Sequence, residues 1–259
     1  MNKREFVASS IASIVGLAGT AAMSSRSEAQ TACVRTADPA TFVLVHGAWC
    51  GGFVYDQVAR SLRSNGHRVF APSLTGLGDR THLSNPDIDL TTHVNDVLSL
   101  MRFQELSDIV LVGHSYGGLV IAGVAESEAE KIDSIVYLDA FLPGFFNSED
   151  LGPLPENSNN TLPLPEEFSR TFGIPGEDRW KYSAHPIGTF LEVDRFSFSG
   201  AHNSISKKTY VLANQPPSFQ VVFDSLTDDP SWITYSVESR HMLMLDVPDR
   251  VVEILEVAI

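Results

Sequence analysis

The sequence is short of positive charge. Against 32 Asp and Glu residues stand 18 Lys and Arg, a formal net charge of −14 over 259 residues, with a pI near 4.9. That surplus argues against nucleic acid or an anionic membrane surface as a partner. It also leaves no basic cluster to hold an anionic substrate. Cysteine is nearly absent: Cys33 and Cys50 are the only two, so one disulfide is the most the chain can form. Export to an oxidising compartment would permit the pair. The alternative is a Cys33 in a frayed tail and a separately packed Cys50. No internal repeat divides the chain, and its length suits one globular α/β domain better than two.

The N-terminal residues differ in kind from the rest. Lys3 and Arg4 precede a small, apolar stretch from Phe6 to Met23, and Ser27-Glu28-Ala29 offers a small-x-small cleavage site. This pattern predicts an export signal over residues 1–29 that is removed, followed by a tail over 30–40. Lys3-Arg4-Glu5-Phe6 resembles a weakened twin-arginine signal, so the route is Tat-like or Sec. The alternative is an N-terminal membrane anchor, for which Phe6 to Met23 is just long enough but rich in Ser, Gly and Ala. The export reading places the mature chain in the periplasm or outside the cell, with no stable membrane association.

From Thr41 onward, short apolar runs alternate with helical patterns. Strands are predicted at Phe42–Val45, Arg68–Ala71, Ile109–Val112 and Ile132–Leu138, with helices near Asp56–Asn65, Leu90–Arg102 and Gly117–Ser127 between them. This rhythm builds a mostly parallel sheet with helices on both faces. It breaks from about Pro143 to Ser206, a stretch rich in proline and carrying Phe168, Phe172, Trp180, Tyr182, Phe190, Phe196 and Phe198. Aromatics in that number need burial, so the segment reads as an inserted cap rather than a linker. Strands at Thr209–Leu212 and Trp232–Val237 and helices near Ser218–Leu226 and Pro248–Val257 then complete a single domain over 41–259.

Directly after the third strand comes Gly113-His114-Ser115-Tyr116-Gly117, a GxSxG string opening an apolar helix. The glycines suit a turn too sharp for side chains, which would push the Ser115 hydroxyl out at the carboxyl edge of the sheet. A serine hydroxyl needs a base to attack at neutral pH, and imidazole suits that task. Of eight histidines, His241 follows the last strand and precedes the terminal helix. Two backbone N–H groups are needed for an oxyanion: Tyr116, after the nucleophile, and Ala48, in the loop after the first strand. His46, Trp49, His114, Trp180 and His185 are the candidate substrate contacts.

Four strings carry a family resemblance: Phe42-Val-Leu-Val-His-Gly-Ala-Trp49, Leu74-Thr-Gly-Leu-Gly78, Val112-Gly-His-Ser-Tyr-Gly-Gly118 and Tyr137-Leu-Asp-Ala-Phe-Leu-Pro143. They resemble the single-domain α/β-hydrolases that include plant methyl-ester esterases, hydroxynitrile lyases and bacterial relatives. The resemblance covers roughly residues 41–259 and is weakest in the cap. It implies an α/β-hydrolase fold and catalysis without metal or other cofactor; the aromatic cap and the lack of a basic cluster point to a small ester as substrate, and a monomer or homodimer is the default.

Two departures matter. Hydroxynitrile lyases of this family carry a lysine immediately after the catalytic histidine, whereas Met242 follows His241 here. Plant relatives place the histidine-orienting aspartate after the strand that here ends at Leu212, yet Ala213-Asn214-Gln215-Pro216-Pro217 holds no carboxylate. Haloalkane dehalogenases, distant relatives on the same fold, can place the acid at the end of the strand after the nucleophile helix. Tyr137-Leu138-Asp139-Ala140 resembles that string, so Asp139 is assigned as the acid. The alternatives are Asp224, Asn214 as a neutral orienter, and a purely loop-capping role for Asp139. The expected activity is hydrolysis of small, largely apolar carboxylic esters through an acyl-enzyme, with lactones and amides open to the same machinery. Competing readings are a carbon–carbon lyase and a catalytically silent binding protein on the same fold.

Overall fold

The computed structural model describes residues 38–151, 160–165, 174 and 176–259. Residues 1–29, expected to be an export signal, and Cys33, Phe168 and Phe172 lie outside the described residues. Six strands form one sheet in the order β2-β1-β3-β4-β7-β8, every neighbouring pair parallel. They are β1 (Thr41–Val45), β2 (Arg68–Phe70), β3 (Ile109–His114), β4 (Ile132–Leu138), β7 (Lys207–Ala213) and β8 (Trp232–Val237). A separate antiparallel pair, β5 (Thr161–Leu162) and β6 (His185–Pro186), belongs to the cap.

Successive strand residues point to opposite faces, and both faces are apolar. Val43, Val45, Leu111, Ile135 and Tyr137 pack on one side, under α2 (Leu90–Phe103), α3 (Gly117–Glu128) and α5 (Gln220–Thr227). Phe42, Leu44, Val110, Val112 and Val136 pack on the other, against α1 (Asp56–Ser64) and the C-terminal α6 (Leu243–Asp246) and α7 (Pro248–Val257). Local chemistry agrees with these helices. Asp89 and Thr92 form a reciprocal capping box at the start of α2, and Pro248 stands in the first turn of α7. α3 is buried from Gly117 to Ala125, which explains why its sequence is apolar all round rather than striped.

The cap enters after β4 and ends before β7. Its described part holds β5, β6 and the one-turn α4 (Gly188–Leu191), which is seated on α2 where both oxygens of Glu192 accept from Thr91. The expectation that the cap aromatics are buried holds for Tyr182 and Phe190 and is corrected for Trp180, which is 80% exposed.

Candidate active site

β3 ends at His114 and α3 begins at Gly117, so the chain turns from strand to helix within two residues. Ser115 occupies φ +52°, the left-handed region that a residue with a side chain enters only at a cost. Closeness of backbone explains the flanking glycines. A Cβ on Gly113 would lie 2.6 Å from the Gly117 carbonyl oxygen, and one on Gly117 2.7 Å from that of Val45. The turn is tied to the next strand: the Ser115 N–H donates to the Leu138 carbonyl at 3.3 Å, and the Ser115 carbonyl accepts from Gly118 and Phe141 at 3.0 and 3.1 Å. Gly47, after β1, packs against the other side, where a Cβ would meet the Ser115 Cβ at 2.9 Å.

Asp139 directly follows β4 and is fully buried, also at positive φ (+43°). Its amide donates to the Val211 carbonyl of β7 at 2.6 Å. Its Oδ1 accepts the Ala213 N–H at 3.0 Å, and its Oδ2 lies 2.6 Å from His241 Nδ1. The carboxylate therefore bridges two neighbouring strand ends and the loop after β8. Neither other candidate acid reaches the ring. Asn214 is exposed and donates to Ser236 Oγ, while Asp224 accepts from Gln220 on the outer face of α5.

The structure does not bring all the expected substrate contacts to one surface. Trp49 lines the cavity at Ser115, at φ +62° and with its indole N–H donating to the Leu162 carbonyl at 3.1 Å. His46, His114 and His185 are instead buried behind the cavity wall, which corrects their assignment as substrate contacts. His46 Nδ1 donates to the Gly47 carbonyl at 2.8 Å and its Nε2 accepts the Leu74 N–H at 3.0 Å, which joins two loops at the sheet edge. His114 Nε2 donates to the main-chain carbonyl of His241 at 2.9 Å, with the two rings 4.5 Å apart. His185 Nε2 donates to Thr189 Oγ1 at 2.7 Å, and the Thr189 hydroxyl donates in turn to the Pro186 carbonyl at 2.8 Å. Burial holds the His114 and His185 rings well below the usual histidine range and lowers His46 to about 4, so all three are neutral structural donors. Trp180 lies on the exterior beside Phe53 and Lys181, away from Ser115, which corrects its assignment as well.

What does form the site is a cavity of about 410 Å³, with Ser115 and His241 on its wall. Ala48 lines it too, and the fully buried Tyr116 stands at the start of α3, where the first amides of a helix have no partner inside it. The remaining wall is almost wholly apolar: Phe141, Phe146, Leu162, Phe190 and Phe219, with Ser218 as a further polar member. Sequence reasoning missed these aromatics as site residues. A signal existed for two of them, since Phe141 follows the end of β4 by three residues and Phe219 immediately precedes α5, both at the sheet edge where ligands bind in open α/β folds.

Parallel sheet, strand-to-helix serine turn and a buried carboxylate–imidazole pair at one sheet edge define the class: an α/β protein with a serine–histidine–aspartate cluster under a cap. The chain belongs to the alpha/beta hydrolase family, whose model matches residues 42–254. It is 34% identical over 246 residues to a carbendazim hydrolyzing esterase from Nocardioides sp. (strain SG-4G), a match spanning 83% of this chain and 97% of that one. Methylesterase 1 of Arabidopsis thaliana is 39% identical over 104 residues, which span 39% of this chain and 40% of that protein. Among solved structures, an extracellular α/β-hydrolase from a Paenibacillus species superposes with a TM-score of 0.70 at 25% identity, over 85% of this chain and 99% of the other. That protein is described as sharing structural and functional homology with tobacco salicylic acid binding protein 2.

Proposed function

We propose that this protein is a serine hydrolase that cleaves small, largely apolar carboxylic esters through an acyl-enzyme, and that it works outside the cytoplasm. The observation that carries the reading is the buried 2.6 Å contact between Asp139 and His241 Nδ1, with His241 and Ser115 on the wall of one cavity. Nδ1 is committed to the carboxylate, which fixes the tautomer and turns Nε2 to proton exchange with the serine. His241 takes the Ser115 proton as Oγ bonds to the ester carbonyl carbon. The tetrahedral oxyanion accepts from the Ala48 and Tyr116 amides, a contribution of several kcal/mol from donors fixed in place before the reaction. Collapse breaks the ester C–O bond, and His241 returns the proton to the departing alcohol. Water then repeats the sequence on the acyl-enzyme, releasing the acid and restoring Ser115.

The wall of the cavity supports an uncharged substrate, because among the described residues no Asp, Glu, Lys or Arg lines it. Its volume lies at the small end of ligand sites. The esterase names of the relatives and the length of the Nocardioides match support the ester as the scissile group. Met242, which is 1% exposed beside His241, supplies no cation for a cyanide leaving group, which weighs against the lyase reading. Extracellular action is supported by the basic and apolar N-terminal pattern. The test is covalent labelling by a fluorophosphonate together with p-nitrophenyl acetate turnover. Labelling should map to Ser115 and slow sharply in His241→Ala, and turnover should vanish in Ser115→Ala. Equal turnover by wild type and Ser115→Ala would reject the mechanism.

A further inference from the structure

The cavity at Ser115 has a neighbour. A second cavity of about 230 Å³ is lined by Phe145, Val221 and Val222, and it shares Phe141, Phe146, Ser218 and Phe219 with the first. Those shared residues are a partition between the two spaces. Phe141 is its fixed part, because its backbone N–H donates to the Ser115 carbonyl and its ring is packed by Phe146 at 4.6 Å and Phe190 at 6.1 Å. Phe219 is held differently. It sits half-buried at the start of α5, edge-on to Phe141 at 4.9 Å and stacked on the His241 ring at 5.8 Å with 24° between planes.

We infer that Phe219 is the end wall of the substrate cavity and sets the length of the apolar chain that the site accepts. The inference rests on the hydrolase reading above and adds to it the residue that fixes substrate size. Removing the ring would join the cavity to the second, more open space, whose Phe145 and Val221 are exposed, and enlarge it by about half its present volume. A chain now stopped at the partition would run on toward Val221 and Val222. Each further methylene that becomes buried favours binding by roughly fourfold, so two or three of them give about sixteenfold to sixtyfold.

The test uses the full chain and a p-nitrophenyl ester series from acetate to dodecanoate, with kcat/KM measured for wild type, Phe219→Ala, Phe219→Leu and Phe219→Trp. Wild type should favour the short esters. The octanoate-to-acetate ratio of kcat/KM should rise by about tenfold to a hundredfold in Phe219→Ala, less in Phe219→Leu, and fall in Phe219→Trp. A ratio within one enzyme cancels any common loss caused by unstacking His241, and the Leu and Trp variants carry the test if Phe219→Ala does not fold. Ratios unchanged across the folded variants, or a uniform drop on every chain length, would overturn the assignment while leaving the hydrolase reading intact. Absence of ester turnover by wild type would instead remove the hydrolase reading, and this inference with it.

Discussion

Replacing Asp139 with Asn tests the site at the point where it is most constrained. The two carboxylate oxygens have different partners: Oδ1 accepts the Ala213 N–H at 3.0 Å and Oδ2 faces His241 Nδ1 at 2.6 Å. An asparagine has one acceptor for these two donors. With its oxygen toward Ala213, its amide group donates to Nδ1, which forces the proton of the imidazole onto Nε2, the nitrogen that must accept from Ser115. With its oxygen toward His241, the amide faces the Ala213 N–H, and two donors meet in a fully buried space, at a cost of about 1–3 kcal/mol. The first arrangement is favoured and inactive. Asp139→Asn should therefore lower kcat by about ten-thousandfold, or roughly 5 kcal/mol of transition-state stabilisation. KM should change little, because the carboxylate lies behind the cavity wall. Stopped-rate assays with p-nitrophenyl acetate against a Ser115→Ala baseline read the loss, and urea unfolding checks that the variant is native. A folded Asp139→Asn enzyme within about tenfold of wild type would refute the reasoning, since no such rate fits the wrong tautomer.

Two further predictions concern stability. His46 is fully buried and its folded value is depressed to about 4 against 6.5 for the free group, while burial also lowers His93, His114, His185 and His202. As pH falls below 6.5 the unfolded chain takes up protons that the folded chain refuses, so stability is lost through that window and the His46 share levels off near 4. That share is about 3 kcal/mol. Urea midpoints should decline steeply between neutral pH and the low fours and decline less in His46→Gln; equal slopes would contradict the assignment. Gly118→Ala should destabilise by about 1–3 kcal/mol or more, because a Cβ there would lie 2.2 Å from the Phe141 carbonyl oxygen, a main-chain atom that is itself held beside the serine turn. A wild-type urea midpoint in Gly118→Ala would show that this contact relaxes freely.

Legibility in the sequence followed physical necessity. The parallel sheet was readable because strands buried on both faces must be apolar runs, and helices that cover them must be periodic, as Val58, Ala59 and Leu62 show in α1. Ser115 was readable because its turn excludes side chains at Gly113 and Gly117. The histidines at strand ends were less so. His46 and His114 stand where either a cavity or a loop junction would suit an imidazole, and only packing decides that both rings turn inward to main-chain carbonyls. The apolar wall was illegible for another reason: Phe141, Phe146, Leu162, Phe190 and Phe219 come from separate segments, and no periodicity links residues that meet only in the fold. The cap pair β5–β6 is two residues per strand amid prolines, too short for any alternation to register.

The position of the acid follows from sheet order. β4 lies between β3 and β7, so the ends of β4 and β7 are adjacent, and a carboxylate from either can approach a histidine carried on the loop after β8. Asp139 exploits this by starting on β4 while its amide and one carboxylate oxygen bond to Val211 and Ala213 of β7. The strand that lacks the acid thus still positions it. Three residues with side chains adopt positive φ around this edge, Trp49 after β1, Ser115 after β3 and Asp139 after β4. Such conformations cost on the order of 1–3 kcal/mol each. They persist where surrounding bonds over-determine them, and here each is fixed by main-chain bonds that reach another segment: Trp49 to Ser183, Ser115 to Leu138 and Phe141, Asp139 to Val211. The strain is therefore spread over separate strand ends that converge on one cavity, which is what brings Ser115, the Asp139–His241 pair and Trp49 together without a long loop to carry any of them.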